Sequence, residues 1–89
     1  MYFYVYMIKS ISYGFNKTYV GYTKNLKNRL KLHNSSKGAK FTRGKIWKLI
    51  YKRKYDTKSN AIINEHKLKV NKKKRLKIKN NYLNKIKLA

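Results

Sequence analysis

From Tyr2 to Ile8 every residue is aromatic or aliphatic, in the order Tyr-Phe-Tyr-Val-Tyr-Met-Ile. Such a run falls far short of the roughly 20 residues that cross a bilayer. No basic segment precedes it and no small-residue cleavage site follows it, so it does not read as a signal peptide. β-formers dominate and both alternating faces are apolar, which describes a strand covered on both sides. The rest of the chain has to supply that cover from unpromising material. Its 89 residues hold 25 Lys and Arg against two acids, Asp56 and Glu65, for a formal charge of +23. A charge of that size repels itself within a Debye length, and a polyanionic partner relieves the repulsion. A/T-rich codons favour Lys, Asn, Ile and Tyr, but codon bias does not remove acids. A surface shaped to lie on phosphates does.

The chain has no cysteine, which excludes disulfides and thiolate metal sites. Two histidines and two acids cannot build a multi-ligand zinc cage. The length suits one domain, expected to be soluble and cytoplasmic with no membrane partner.

Beyond the first strand, "SYGFN" with Gly14 and Asn16 reads as a hairpin turn, and Lys17 to Thr23 as the returning strand. Thr23 or Asn25 can cap a helix running to about Asn34. On it, Leu26, Arg29, Leu30 and His33 share one face, with Arg29 and His33 expected at the border of that face. Residues 34 to 45, "NSSKGAKFTRGK", read as a polar loop that orders on binding. A third strand follows, with Trp47, Leu49, Tyr51 and Tyr55 expected on one face and Ile46 and Ile50 on the other. Asp56 or Thr57 opens a second helix that places Ala61, Ile62, Glu65, Leu68 and Lys69 on one side. A lysine-rich third helix carries Leu76, Tyr82, Leu83 and Ile86 as a thin apolar stripe. The expected architecture is α+β: a small three-stranded, mostly antiparallel sheet flanked by helices, in β-β-α-β-α-α order. Residues 1–75 form the domain and 76–89 a basic C-terminal helical extension.

Glu65 is the unusual residue, because an acid on an apolar helix face needs a partner. A salt bridge to a neighbouring lysine is the ordinary explanation. The alternative is that a lone acid at the edge of a basic cleft holds one hard divalent ion, with water and a phosphate completing its shell. Most tyrosines (Tyr2, Tyr13, Tyr51, Tyr55 and Tyr82) read as core or rim. Trp47 reads as a core anchor ahead of a base-stacking platform. His66 faces solvent.

"Tyr4-Val5-Tyr6" and "Tyr19-Val20-Gly21" resemble the paired signatures of the GIY-YIG nucleases. Arg29 stands ten residues after Tyr19, where that family has an arginine, and His33 follows one helical turn later. "HNSSKGAKFTRG" is similar to the "HNxGKGAKxTRG" stretch of a small stand-alone branch. That branch in turn is similar to the catalytic domain of structure-specific and excision-repair endonucleases. Glu65 matches the family's metal-binding glutamate. Tyr4 departs from the first motif's glycine. Tyr22 replaces a lysine found in some relatives, which leaves Lys24 or Lys17 to substitute; Asn71 is a weak match to a C-terminal asparagine. The resemblance implies a metal-dependent endonuclease acting on DNA, with structure-specific repair or recombination as its setting. It implies one Mg2+ (or Mn2+) on Glu65, with Tyr6, Tyr19, Arg29 and His33 as catalytic residues.

Phosphodiester hydrolysis needs an activated water, charge relief at phosphorus and a stabilised leaving oxygen. Arg29 offers a fork that fits phosphate oxygens. Lowering a phenol pKa from about 10 to 7 requires about 4 kcal/mol, which Tyr6 or Tyr19 would need as a base. His33 would need no such help. Lys17, Lys24, Lys37, Lys40, Arg43 and Lys45 are the expected nucleic-acid contacts. Targeting falls to the lysine-rich C-terminal segment or to a partner protein. The rival reading is a non-catalytic basic DNA- or RNA-binding protein; a membrane-active peptide fits the strand-rich first half badly.

Overall fold

The computed structural model describes residues 1–12 and 16–88. Strand β1 (Phe3–Ser10) is followed by β2 (Thr18–Thr23), helix α1 (Leu26–Asn34), a 3-10 turn (Lys40–Thr42), β3 (Trp47–Tyr55), α2 (Lys58–Val70) and α3 (Lys72–Leu88). The three strands form one antiparallel sheet in the order β2-β1-β3. The element order and α+β class are those expected from the sequence. The turn at Gly14, and Tyr13, lie outside the described residues.

The doubly apolar run is the central strand because only that position buries both of its faces. Val5 and Met7 face a core with Val20 of β2 and with Ala61 and Leu68 of α2. Tyr6 and Ile8 face the other way and pack with Trp47, Tyr19, Leu26 and Leu30. The sheet therefore has α1 on one side and α2 and α3 on the other. Asn25 is the N-cap of α1, accepting from the Asn28 amide at 3.0 Å. Thr23 closes the preceding corner, its hydroxyl oxygen accepting from the Asn25 amide at 3.1 Å. Thr57, not Asp56, caps α2 by accepting from the Asn60 amide at 3.1 Å.

The structure corrects several local expectations. Met7 pairs with Tyr51 and Ile8 with Leu49, so β3 carries an extra residue at Ile50. A bulge inverts the alternation beyond it. Trp47 and Leu49 stay on the α1 side, while Tyr51 and Tyr55 join Ile50 against the other core. On α3, Leu76 and Ile86 are half exposed, and Ile78 packs against the core instead. Its lysines leave only a narrow strip to bury. Ile62 on α2 also faces solvent, because Ala61 and Leu68 turn a different arc of the helix toward the sheet.

The segment after α1, expected to order only on binding, is already folded. Lys37 donates to the Leu32 carbonyl at 2.9 Å and Ser36 to that of His33 at 3.3 Å, with Ser36 left-handed at φ 62°. This is a Schellman closure, with serine in the position glycine usually holds. The Ser36 hydroxyl accepts from the Gly44 amide at 2.9 Å, a bond glycine could not make. Trp47 closes the far end. Its indole donates to the Thr42 carbonyl at 2.9 Å, and its backbone exchanges hydrogen bonds with the Asn34 side chain at 2.6 and 3.1 Å. Trp47 is thus a buried anchor.

Candidate functional site

A cleft of about 500 Å³ opens along the free edge of β2. It is lined by Tyr6 and Tyr19 from the sheet, Arg29 from α1 and Glu65 from α2, with Gly21 as its floor. Two helices on opposite faces reach the same point because the sheet ends at β2, and each can lean past its edge. Arg29 stands one turn into α1 from the Thr23–Asn25 corner. Glu65 lies between the buried Ala61 and Leu68 on α2 and is 16% exposed.

Tyr6 is buried except where it meets the cleft, and its hydroxyl lies 2.7 Å from His33 Nε2. His33 Nδ1 lies 2.8 Å from Thr42 Oγ1, and the Thr42 hydroxyl donates to the Ala39 carbonyl at 2.8 Å. These bonds fix every proton along the relay. Thr42 has spent its hydrogen on Ala39, so it accepts from Nδ1–H, which leaves Nε2 bare to accept from Tyr6. His33 is fully buried, not at the border of its helix face as expected. The cause is the folded 34–46 segment, which covers its outer side. Burial first, and the Arg29 charge second, hold its pKa below the ordinary histidine value. Burial likewise pushes the Tyr6 phenol well above the usual tyrosine range, against the opposing pull of Arg29. Tyr19 stands at the rim, its ring 5.2 Å from His33 and stacked on Phe41 at 6.3 Å.

Two glycines are needed for this packing. A Cβ on Gly21 would meet the Tyr6 hydroxyl at 2.5 Å and its ring carbon Cζ at 2.7 Å, and a Cβ on Gly38 would strike the His33 ring. Gly21→Ala is therefore expected to displace the phenol from His33 and cost about 1–3 kcal/mol. Urea unfolding checks the cost. Loss of the hydrogen-bonded Tyr6 hydroxyl proton in NMR spectra checks the displacement.

Glu65 also pairs with Lys69 at 3.3 Å, the ordinary role weighed for such an acid. Among the described residues no group of three or more His, Cys, Asp or Glu could hold a metal. One carboxylate facing open space suits a hard divalent ion that keeps most of its waters and takes other oxygens from a phosphate.

Of the expected basic contacts, Lys24 lines the cleft, and Lys17 lines a separate groove against α3. Of the two, Lys24 shares the cleft with the tyrosines, its ammonium over the Phe3 ring at 5.7 Å. Lys37, Lys40, Arg43 and Lys45 lie on the folded 34–46 segment. Asn71 is outside the cleft; it joins α2 to α3 and accepts from the Lys74 amide at 3.0 Å. Sequence reasoning missed Lys58 and Thr42. Lys58 lines the cleft but is one base among 25. Thr42 lies in the quoted "GAKFTRG" stretch, yet nothing local marks it as buried.

A guanidinium, a carboxylate and two phenols thus share one basic cleft on a small α+β scaffold. The GIY-YIG catalytic domain profile matches residues 2–82, and the chain belongs to that nuclease family. It is similar to UPF0213 proteins from several organisms. One from Oceanobacillus iheyensis is 44% identical over 52 residues, 57% of this chain and 60% of that protein. One from Haloquadratum walsbyi is 36% identical over 69 residues, 76% of this chain and 74% of that one. One from Staphylococcus saprophyticus is 34% identical over 77 residues, 84% and 90% respectively. The match thus spans less than two thirds of the Oceanobacillus protein. The solution NMR structure of a UPF0213 protein from Bacillus halodurans is similar at a TM-score of 0.52 and 31% identity, over 88% of this chain and 82% of that one. No helix among the described residues is long and apolar enough to cross a membrane.

Proposed function

We propose that the protein is a metal-dependent endonuclease that hydrolyses DNA phosphodiester bonds at the β2-edge cleft. The observation that carries this reading is the convergence of Tyr6, Tyr19, Arg29 and Glu65 on one cavity from four elements. Arg29 grips the non-bridging oxygens of the scissile phosphate and offsets charge as it builds in the transition state. Glu65 would hold the divalent ion, which would supply further charge neutralisation at the phosphate.

The attacking water loses its proton through the buried relay. Burial raises the Tyr6 pKa and so disfavours a standing phenolate. Tyr6 instead receives the water's proton on its oxygen while its own proton passes to His33 Nε2. His33 has to be neutral to receive it, and burial keeps it so. Thr42 then stabilises the imidazolium by accepting from Nδ1–H. In this reading the base is a Tyr6–His33 pair, supported by their 2.7 Å contact. Tyr19 at the rim positions the water. The lysines of α3 and of the 34–46 segment supply general affinity for the backbone.

The Glu65–Lys69 ion pair favours the rival reading, a basic DNA-binding protein in which Glu65 only braces its helix. Labelled branched and duplex DNA incubated with Mg2+ or with chelator separates the two. Wild type is expected to cleave only with the metal, and Glu65→Gln to lose about 10²–10³-fold in rate with DNA binding retained. Equal cleavage by Glu65→Gln, or none by wild type on any substrate, defeats the enzymatic reading.

A further inference from the structure

The second groove, about 260 Å³, lies where β2 begins and α3 passes over it. Lys17 and Thr18 line it from the sheet, and Lys72, Arg75 and Lys79 from α3. Lys79 donates to the Asn16 carbonyl at 3.4 Å and so joins the two walls. No acid is among its described lining residues. Arg75 sets this groove apart from the rest of a uniformly basic surface. Its Nε is buried and has no hydrogen-bond acceptor. A guanidinium N–H withdrawn from water without a partner is costly to leave unmade. Four cations brought together from two segments repel one another in addition. An anion with several acceptor oxygens relieves the crowding of charge, and a phosphate diester fits the accessible end of the guanidinium fork.

Position says which phosphate. The groove and the cleft lie along the same edge strand, the groove at Thr18 and the cleft from Tyr19 to Thr23. At about 3.3 Å per strand residue, Thr18 lies about 3–17 Å along β2 from the residues of the cleft. Successive phosphates of one DNA strand advance about 3.4 Å along the helix axis, so a strand laid along β2 reaches both within a few nucleotides. We infer that this groove is a second phosphate-binding site, which seats the DNA backbone within a few nucleotides of the bond in the cleft and makes the β2 edge a track for the substrate strand. The spacing rests on the cleft being the cutting site; the binding of backbone phosphate does not.

The test measures binding of a fluorescent 20-base-pair duplex by anisotropy, in chelator, across a salt series. The variants are Lys72→Ala/Lys79→Ala and Arg75→Ala. The control is Lys31→Ala/Lys67→Ala, which removes the same charge as the lysine pair from outside the groove. Circular dichroism checks each fold, and Lys72→Ala alone, at an exposed position, serves should Arg75→Ala unfold. The groove variants are expected to bind about tenfold more weakly than the control, with the log–log salt slope reduced by about 0.9 for each phosphate no longer held. Groove variants indistinguishable from the control overturn the inference. Because chelator is present throughout, the result stands apart from catalysis. Wild type that never cleaves while the groove effect persists defeats only the nuclease reading. Wild type that cleaves while groove variants behave as the control defeats only this one.

Discussion

Arg29→Ala is expected to lower metal-dependent DNA cleavage on the order of 10³-fold, with duplex affinity reduced far less. The separation follows from what Arg29 does. Binding draws on 25 bases, so one charge is a small share of it, whereas the cleft presents a single guanidinium to the reacting phosphate. Arg29→Lys should recover little, because an ammonium is a point charge without the planar fork. A second readout is independent of turnover. The Arg29 charge lowers the pKa of His33 and opposes the rise at Tyr6, so its removal is expected to raise both. NMR titration of the His33 ring in Arg29→Ala measures the first. Cleavage at the wild-type rate with an unmoved His33 titration would place the chemistry elsewhere on the molecule.

Tyr6→Phe is expected to lower cleavage about 10²–10⁴-fold below wild type, the range for removing a general base. The ring still packs, but the Nε2 atom of His33 loses its donor in a fully buried site. That should cost about 1–3 kcal/mol of stability. The same relay sets the pH dependence. His33 has a folded pKa below its unfolded value, so its neutral form is the one the fold prefers. Its contribution to stability is complete above the unfolded value of about 6.5 and is lost as pH falls through the folded value. In that window the unfolded chain binds more protons than the folded one. Cleavage should fall over the same acid range, because an imidazolium cannot take the proton of Tyr6. A pH–rate profile with its acid limb below about 6.5 agrees; full activity at a pH where NMR shows His33 protonated does not.

Much of the fold was legible because its signals are local. The doubly apolar run has one stable place, at the sheet centre, and Asn25 and Thr57 cap by bonds that span three residues. The β3 faces were misjudged beyond Ile50 because a bulge is a property of the pairing with β1, which the β3 sequence does not contain. The site was legible as a set of residue types in order. Arg29 and Glu65 were singled out chiefly by the resemblance, Arg29 by standing ten residues after Tyr19 and Glu65 as an acid on an apolar helix face. His33 shows the limit. Its helix position predicted a border location, and a segment up to nine residues further on decided otherwise by seating Thr42 on it.

The amino-acid order alone determined the α+β class and the order of strands and helices, and it set a charge of +23 that favours a polyanionic partner. Tertiary structure decided that helices on opposite faces meet at one cleft, because only the assembled sheet has an edge for them to lean past. It also decided which way the proton on His33 points. That depends on a carbonyl, a hydroxyl and an imidazole brought together by folding, and no residue in the sequence carries that information by itself.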